Sequence, residues 1–118
     1  MLNIIINKTT KGIIVGNSKR CRSTLCKVIG LMFSKKIEDY GVIFEFEKEE
    51  KIYMHMMFVF FPIDLVFLDK YKRVIEIKEN FKPFTLYTSK TRASYVIELP
   101  AGSVVQSSIM IDQVIDFD

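Results

Sequence analysis

The sequence predicts a mainly β fold, an antiparallel sandwich or barrel with one or two short helices. Three observations carry this. From Val42 the apolar residues recur with a period of two, the signature of a strand with one buried face. Runs rich in β-branched and aromatic residues are short and bounded by turn residues. The chain does not alternate strand with helix, as a parallel sheet would require.

The elements follow in order. Leu2 to Ile6 and Ile13 to Val15 are apolar runs around the turn-like segment Asn7 to Gly12, which reads as a hairpin ended by Gly16-Asn17. Ser23 or Thr24 caps a helix whose stripe is Leu25, Val28, Ile29 and Met32. Gly30 inside that stripe costs up to about 1 kcal/mol relative to Ala, or else permits close packing on a sheet. Val42, Phe44 and Phe46 then share one strand face, opposite Ile43, Glu45 and Glu47. Lys48 to Lys51 is a polar turn. Ile52 to Phe58 and Ile63 to Leu68 are buried strands joined near Pro62. Asp69 to Lys72 turns, and Arg73 to Ile77 is a strand. Pro83 opens a loop through Thr91. Tyr95 to Leu99 is a strand stopped by Pro100, Ala101 to Ser108 forms helical turns, and Gln113 to Phe117 is a last strand.

The 118 residues are read as one domain, 1–118, with no linker and no internal repeat. Hydrophobic residues make up 49% and charged residues 26%, which excludes disorder as the main state. The net charge of +3 is too mild to argue for nucleic acid or a membrane surface. Ile52 to Leu68 approaches the length of a membrane span, but His55, Pro62 and Asp64 interrupt it. No signal peptide is read at the N-terminus. Cys21 and Cys26 are expected as reduced thiols of a cytoplasmic protein. With 2 Cys and 1 His, a zinc site of the usual kind lacks a ligand, so no metal or cofactor is expected.

Several motifs occur in a recognisable order. They are Gly30-Leu31-Met32-Phe33, Gly41-Val42-Ile43-Phe44-Glu45-Phe46, Tyr53-Met54-His55, Pro62-Ile63-Asp64-Leu65-Val66-Phe67-Leu68-Asp69, Val74-Ile75-Glu76-Ile77 and Val96-Ile97-Glu98-Leu99-Pro100-Ala101-Gly102. In this order they resemble the DUF192 (UPF0127) family, from about Ser23 to Phe117. The resemblance implies a compact β-sandwich of jelly-roll type with a short helix. It implies no activity, since the family's function is unknown. The chain is similar to the short cytoplasmic archaeal forms, and its Ile, Lys and Glu content suits a thermophilic source. It departs from the family pattern in three places. Tyr53-Met54-His55 stands where Trp-Met-Lys is frequent, Lys27 where Arg is frequent, and Ile111-Asp112 where Gly-Asp is frequent. The change at Lys27 bears on an anionic ligand, because Lys lacks the guanidinium fork.

Asp64 is the most informative position. A lone carboxylate among large apolar side chains must be paired, hydrogen-bonded or protonated. The structural reading ties it to backbone N–H groups at the Pro62 turn or to a Lys or Arg. The functional reading makes it an acid or an anchor in a pocket. His55 reads as a core-edge imidazole with a satisfied hydrogen bond, or as a general base or metal ligand. The Met32, Met54, Met56 and Met57 group reads as adaptable core filling. The basic group from Lys19 to Lys36 reads as a solvated face. Lys27, Met32, Tyr53, Met54, His55, Asp64 and Glu98 are the ligand-binding candidates.

The expected function is a non-enzymatic ligand-binding or protein-interaction module with a pocket near Asp64. Its partner is a small molecule or a protein, not nucleic acid or a membrane, and its state is a monomer or weak homodimer. The alternative is a hydrolytic enzyme using Asp64 with His55 or Tyr53 as acid–base groups; no nucleophile motif accompanies them.

Overall fold

The computed structural model describes residues 3–117. Eight strands and two short helices follow in the order β1 (Ile5–Asn7), β2 (Gly12–Val15), β3 (Asn17–Cys21), α1 (Thr24–Ile29), β4 (Tyr40–His55), β5 (Ile63–Leu68), β6 (Val74–Phe81), β7 (Leu86–Pro100), α2 (Ser103–Gln106) and β8 (Ile115–Asp116). They form a three-stranded sheet, β2-β1-β8, and a five-stranded sheet, β3-β4-β7-β5-β6. The mainly β class, two sheets and two short helices agree with expectation. All pairs are antiparallel except β3 with β4. That parallel pair distinguishes the order from a jelly roll's antiparallel Greek keys.

The five-stranded sheet buries apolar side chains on both faces. β5 shows why: all six of its residues are buried. Its side chains alternate, so Leu65 and Phe67 enter one core while Val66 and Leu68 enter the other. The second core lies between the sheets and includes Ile5, Ile43, Ile97 and Ile115. The first includes Phe44, Met54, Met56 and Val96, with Cys26 of α1 packed against it. The first hairpin forms as expected, with Ile6 opposite Ile13; Leu2, assigned to it from sequence, lies outside the described residues.

Four local expectations are corrected. Lys48 to Lys51 is not a turn. β4 runs through it, and the pairing with β7 slips between Glu45 and Glu50 and again between Lys51 and Tyr53. A strand exposed on both sides loses the period-two signal. The expected loop from Pro83 to Thr91 is strand from Leu86 onward. Glu76 reaches across from β6 to hold it, accepting the Tyr87 hydroxyl at 2.5 Å, Lys90 N–H at 2.9 Å, and Thr91 N–H and hydroxyl at 2.9 and 2.7 Å. Burial pushes the Glu76 carboxyl up, but these bonds together hold it below its ordinary value. Burial, and then the same carboxylate, push Tyr87 up to about 12.

The third correction concerns Asn17, which starts the edge strand β3 instead of ending a hairpin. Its polar sequence suits an edge. The fourth concerns the helix. It has six residues and no buried ones, so Leu25, Val28 and Ile29 face outward. Ser23 caps it, its hydroxyl accepting Cys26 N–H at 3.1 Å. Gly30 ends it with φ +46°, so Met32 lies beyond the helix. What fastens α1 is covalent: Cys21 and Cys26 form a disulfide, Cα atoms 5.5 Å apart, in place of the expected reduced thiols. Spacing alone did not show that the end of β3 and the first turn of α1 meet there.

Candidate functional site

β7 sets the site through its register. Glu98 pairs with Val42 on β4 and Leu65 on β5, both first-core residues, while Leu99 pairs with Asp64 and joins the second core. Adjacent residues point to opposite sheet faces. Glu98 therefore faces α1, and Asp64 faces α2.

Asp64 is 1% exposed, and both of its oxygens are engaged. Oδ1 accepts Asn80 N–H and Oδ2 accepts Val104 N–H, each at 3.0 Å. The latter is the cap that α2 otherwise lacks, since Gly102 at its N-cap has no side chain. Gly102 has φ +88°, a conformation glycine adopts freely. The structural reading of Asp64 holds, but the N–H groups come from β6 and α2 rather than from the Pro62 turn. This corrects the pocket expected beside Asp64. It also separates Asp64 from His55 and Tyr53, to neither of which it is hydrogen-bonded.

Five of the seven candidates meet on the opposite face. Lys27, Tyr53, Met54, His55 and Glu98 line one narrow cleft of about 20 Å³ with Val28 to Leu31 and Val59. It opens beside a wider cleft of about 290 Å³ bounded by Lys27, Val28, Phe44, Phe46, Tyr53 and His55 among others. Met32 does not line either. A larger cleft of about 740 Å³ lies between β2 and α2. Its titratable group is Asp39, already accepting Gly16 N–H at 2.8 Å, so it offers little chemistry.

Glu98 is the chemical centre of the narrow cleft. It is 3% exposed, and its Oε1 has no hydrogen-bond partner. Burial pushes its carboxyl up to about 8, and the charge of Lys19 offsets only part of that. A Cβ on Gly30 would lie 3.7 Å from this oxygen and 3.4 Å from Phe44 Cζ. Oε1 is itself closed to solvent, and Gly30 forms part of the cover over it.

The remaining groups frame the cleft. His55 Nδ1 accepts Met57 N–H at 3.1 Å, so Nε2 carries the proton and donates to Val28 O at 2.8 Å. It clamps α1 to the end of β4, as its structural reading expects, and has no free nitrogen for base catalysis. Lys27 Nζ lies 4.1 Å from the centre of the Phe46 ring. Tyr53 is 78% exposed. Met54 and Met56 are buried core filling. Elsewhere in the basic segment, Arg20 and Arg22 pair with Glu45. Among the described residues no cluster of three His, Cys, Asp or Glu could hold a metal ion.

Sequence reasoning marked Glu98 but missed Gly30, Leu31 and Val59 as cleft residues. The signal for Glu98 was its place as one acid inside Val96-Ile97-Glu98-Leu99. No comparable signal marks the others, because they meet only through the fold of α1 over the sheet.

Fold and site together define a small two-sheet β domain with a buried acid under a disulfide-fastened helix. Comparison with known proteins carries this further. The chain belongs to the DUF192 family (uncharacterized ACR), whose profile matches residues 7–117. A UPF0127 protein of Thermococcus sibiricus is 29% identical over 117 residues, covering 98% of this chain and 75% of the relative. One of Pyrococcus horikoshii is 33% identical over 101 residues, covering 84% of this chain and 85% of the relative. A crystal structure of a protein of unknown function from Novosphingobium aromaticivorans has the same fold, with a TM-score of 0.86 at 21% identity, covering 99% of this chain and 84% of that one. Among the described residues no helix is long and apolar enough to cross a membrane.

Proposed function

We propose that the protein is a non-enzymatic ligand-binding module, and that its site is the Glu98 cleft rather than the surroundings of Asp64. The observation that supports this is the partnerless Oε1 of a buried carboxyl whose residue lines a narrow cleft. A buried polar atom left unsatisfied costs about 1 to 3 kcal/mol, so a ligand that bonds it gains by doing so. Apolar walls with few polar anchors are the usual make-up of such sites. Hydrolysis is disfavoured, since both His55 nitrogens are committed and Asp64 is on the other face. A thermal-shift screen of amines, amides, sugars and short peptides tests the reading. Ligands of the cleft raise the melting temperature of wild type and not of Glu98→Gln; if no compound separates the two proteins, the site is not a ligand site.

A protein partner is the second reading, favoured by one observation. Phe33, Phe58 and Phe84 are exposed and in van der Waals succession, ring centres 5.0 and 5.8 Å apart, and all three have positive φ near +58°. Left-handed backbone at bulky residues is strained, and with side chains 43 to 71% exposed, burial offsets only part of it. A monomer or weak homodimer is proposed. Sedimentation of wild type and Phe58→Ser at rising concentration tests self-association through this rim. A cytoplasmic setting stays part of the proposal, and requires that the disulfide persist there, as in hyperthermophilic archaea.

A further inference from the structure

We propose, resting on the ligand-binding reading above, that the group anchored at Glu98 is a primary ammonium, free on a small amine or at the tip of a lysine side chain. Four observations lead there. Oε1 has no partner, and once the carboxyl is ionised it only accepts, so a guest that holds it ionised must donate. The protein's own cations leave it unpaired: among the described residues Glu98 makes no ion pair, and Lys27 rests on Phe46 instead. The narrow cleft of about 20 Å³ has room for roughly one water-sized sphere. An ammonium is that size, whereas a guanidinium is broader. Leu31 and Val59 line this narrow space itself; Val28 and Met54, shared with the wider cleft, suit an alkyl stem, and Phe44, Phe46 and Tyr53 border that cleft. Lys27 lying over Phe46 shows that this ring face accepts an ammonium.

An ammonium bound here pairs with the ionised carboxylate, so Glu98 gives up its proton to solvent as the guest enters. The charged or titratable neighbours are Lys19 on β3, Lys27 on α1, and Tyr53 and His55 on β4. On β5 the facing residue is Leu65. With the free carboxyl at about 8, affinity rises by about 50-fold from pH 6 to 8. The guest stays protonated throughout, since a lysine-like amine titrates near 10.4.

The test is a titration of full-length protein with n-butylammonium, n-butanol and n-butylguanidinium, read on the Gly30 amide by NMR. The expected result is saturable binding of n-butylammonium, at least about tenfold tighter than the other two and strengthening with pH as stated. Glu98→Gln removes both the binding and its pH dependence. Val28→Trp, at an exposed edge of the cleft, blocks entry without disturbing the core and guards against misfolding of the first variant. A peptide with one lysine between apolar residues, compared with its acetylated form, separates the two sources: tighter binding than n-butylammonium assigns the side chain, weaker binding the free amine. Equal affinity for butanol, or binding undiminished in Glu98→Gln, overturns the ammonium assignment. If neutral compounds alone bind the cleft, the ligand site stands and its ammonium specificity falls; if nothing binds, both fall.

Discussion

Two acids buried in the same sheet behave in opposite ways, and the difference is set by their partners. Asp64 accepts two backbone N–H groups and holds β6 and α2 together. Removing it leaves the buried Val104 N–H and the part-buried Asn80 N–H without their acceptor, so Asp64→Ala is expected to cost about 1 to 3 kcal/mol in urea unfolding. Loss of hydrogen-exchange protection at Val104 and Asn80 would locate the effect. Glu98 lacks such a bond at Oε1. Its folded-state carboxyl lies at about 8, above the unfolded value, so its neutral form favours the fold. That contribution is present in acid and is lost as pH rises from about 5 through 8. The melting temperature of wild type is therefore expected to fall relative to Glu98→Gln across that range. A parallel course for the two proteins would show that burial of this acid carries no pH-dependent cost. The sequence marked Asp64 as a lone acid in an apolar run and carried Glu98 only within its Val96 to Gly102 motif. It could not rank them, because the donors to Asp64 come from positions 16 and 40 residues away.

Elements here are held by side chains more than by their own propensities. The Tyr87 to Thr91 part of β7 has a polar sequence and becomes strand because Glu76 binds it at several points. Glu76→Gln weakens these charge-assisted bonds and is expected to destabilise by about 1 to 3 kcal/mol. Because Glu76 is held below its ordinary value, its contribution is present at neutral pH and is lost as pH falls through the folded-state value. An acid titration of unfolding free energy on both proteins checks this, with the two curves converging at low pH. The helix α1 is a second case. Its apolar stripe was legible, and its orientation was not, since six residues offer too little face to pack by themselves. Closing a loop this short with Cys21–Cys26 contributes about 2 kcal/mol on chain entropy. Reduction, or Cys26→Ser, is expected to lower stability by that amount and to loosen the α1 wall of the cleft. Faster exchange at Gly30 and Cys26 in the reduced protein would show it.

At the scale of the whole molecule, one sheet serves two cores, and β5 is their shared wall. Phe67→Ala is expected to cost about 3 to 5 kcal/mol in chemical denaturation, as for a large aromatic removed from a packed interior. A single transition would show that both cores unfold together. The same two-faced sheet separates the chemistry. Its alternation sends Asp64 toward α2 as a structural tie and Glu98 toward α1 as a candidate anchor. The sequence by itself determined the β class, the buried run Ile63 to Leu68, the Ser23 cap, the family, and a set of candidates of which five of seven gather in one cleft. These rest on local periodicity, capping chemistry and motif order, all of which a chain displays along its length. Only the tertiary structure decided that α1 faces outward, that Cys21 meets Cys26, that polar segments pair as strand, and which acid is left without a partner. Those outcomes depend on strand register and on contacts between distant residues, and a one-residue difference in register sends a side chain to the other face.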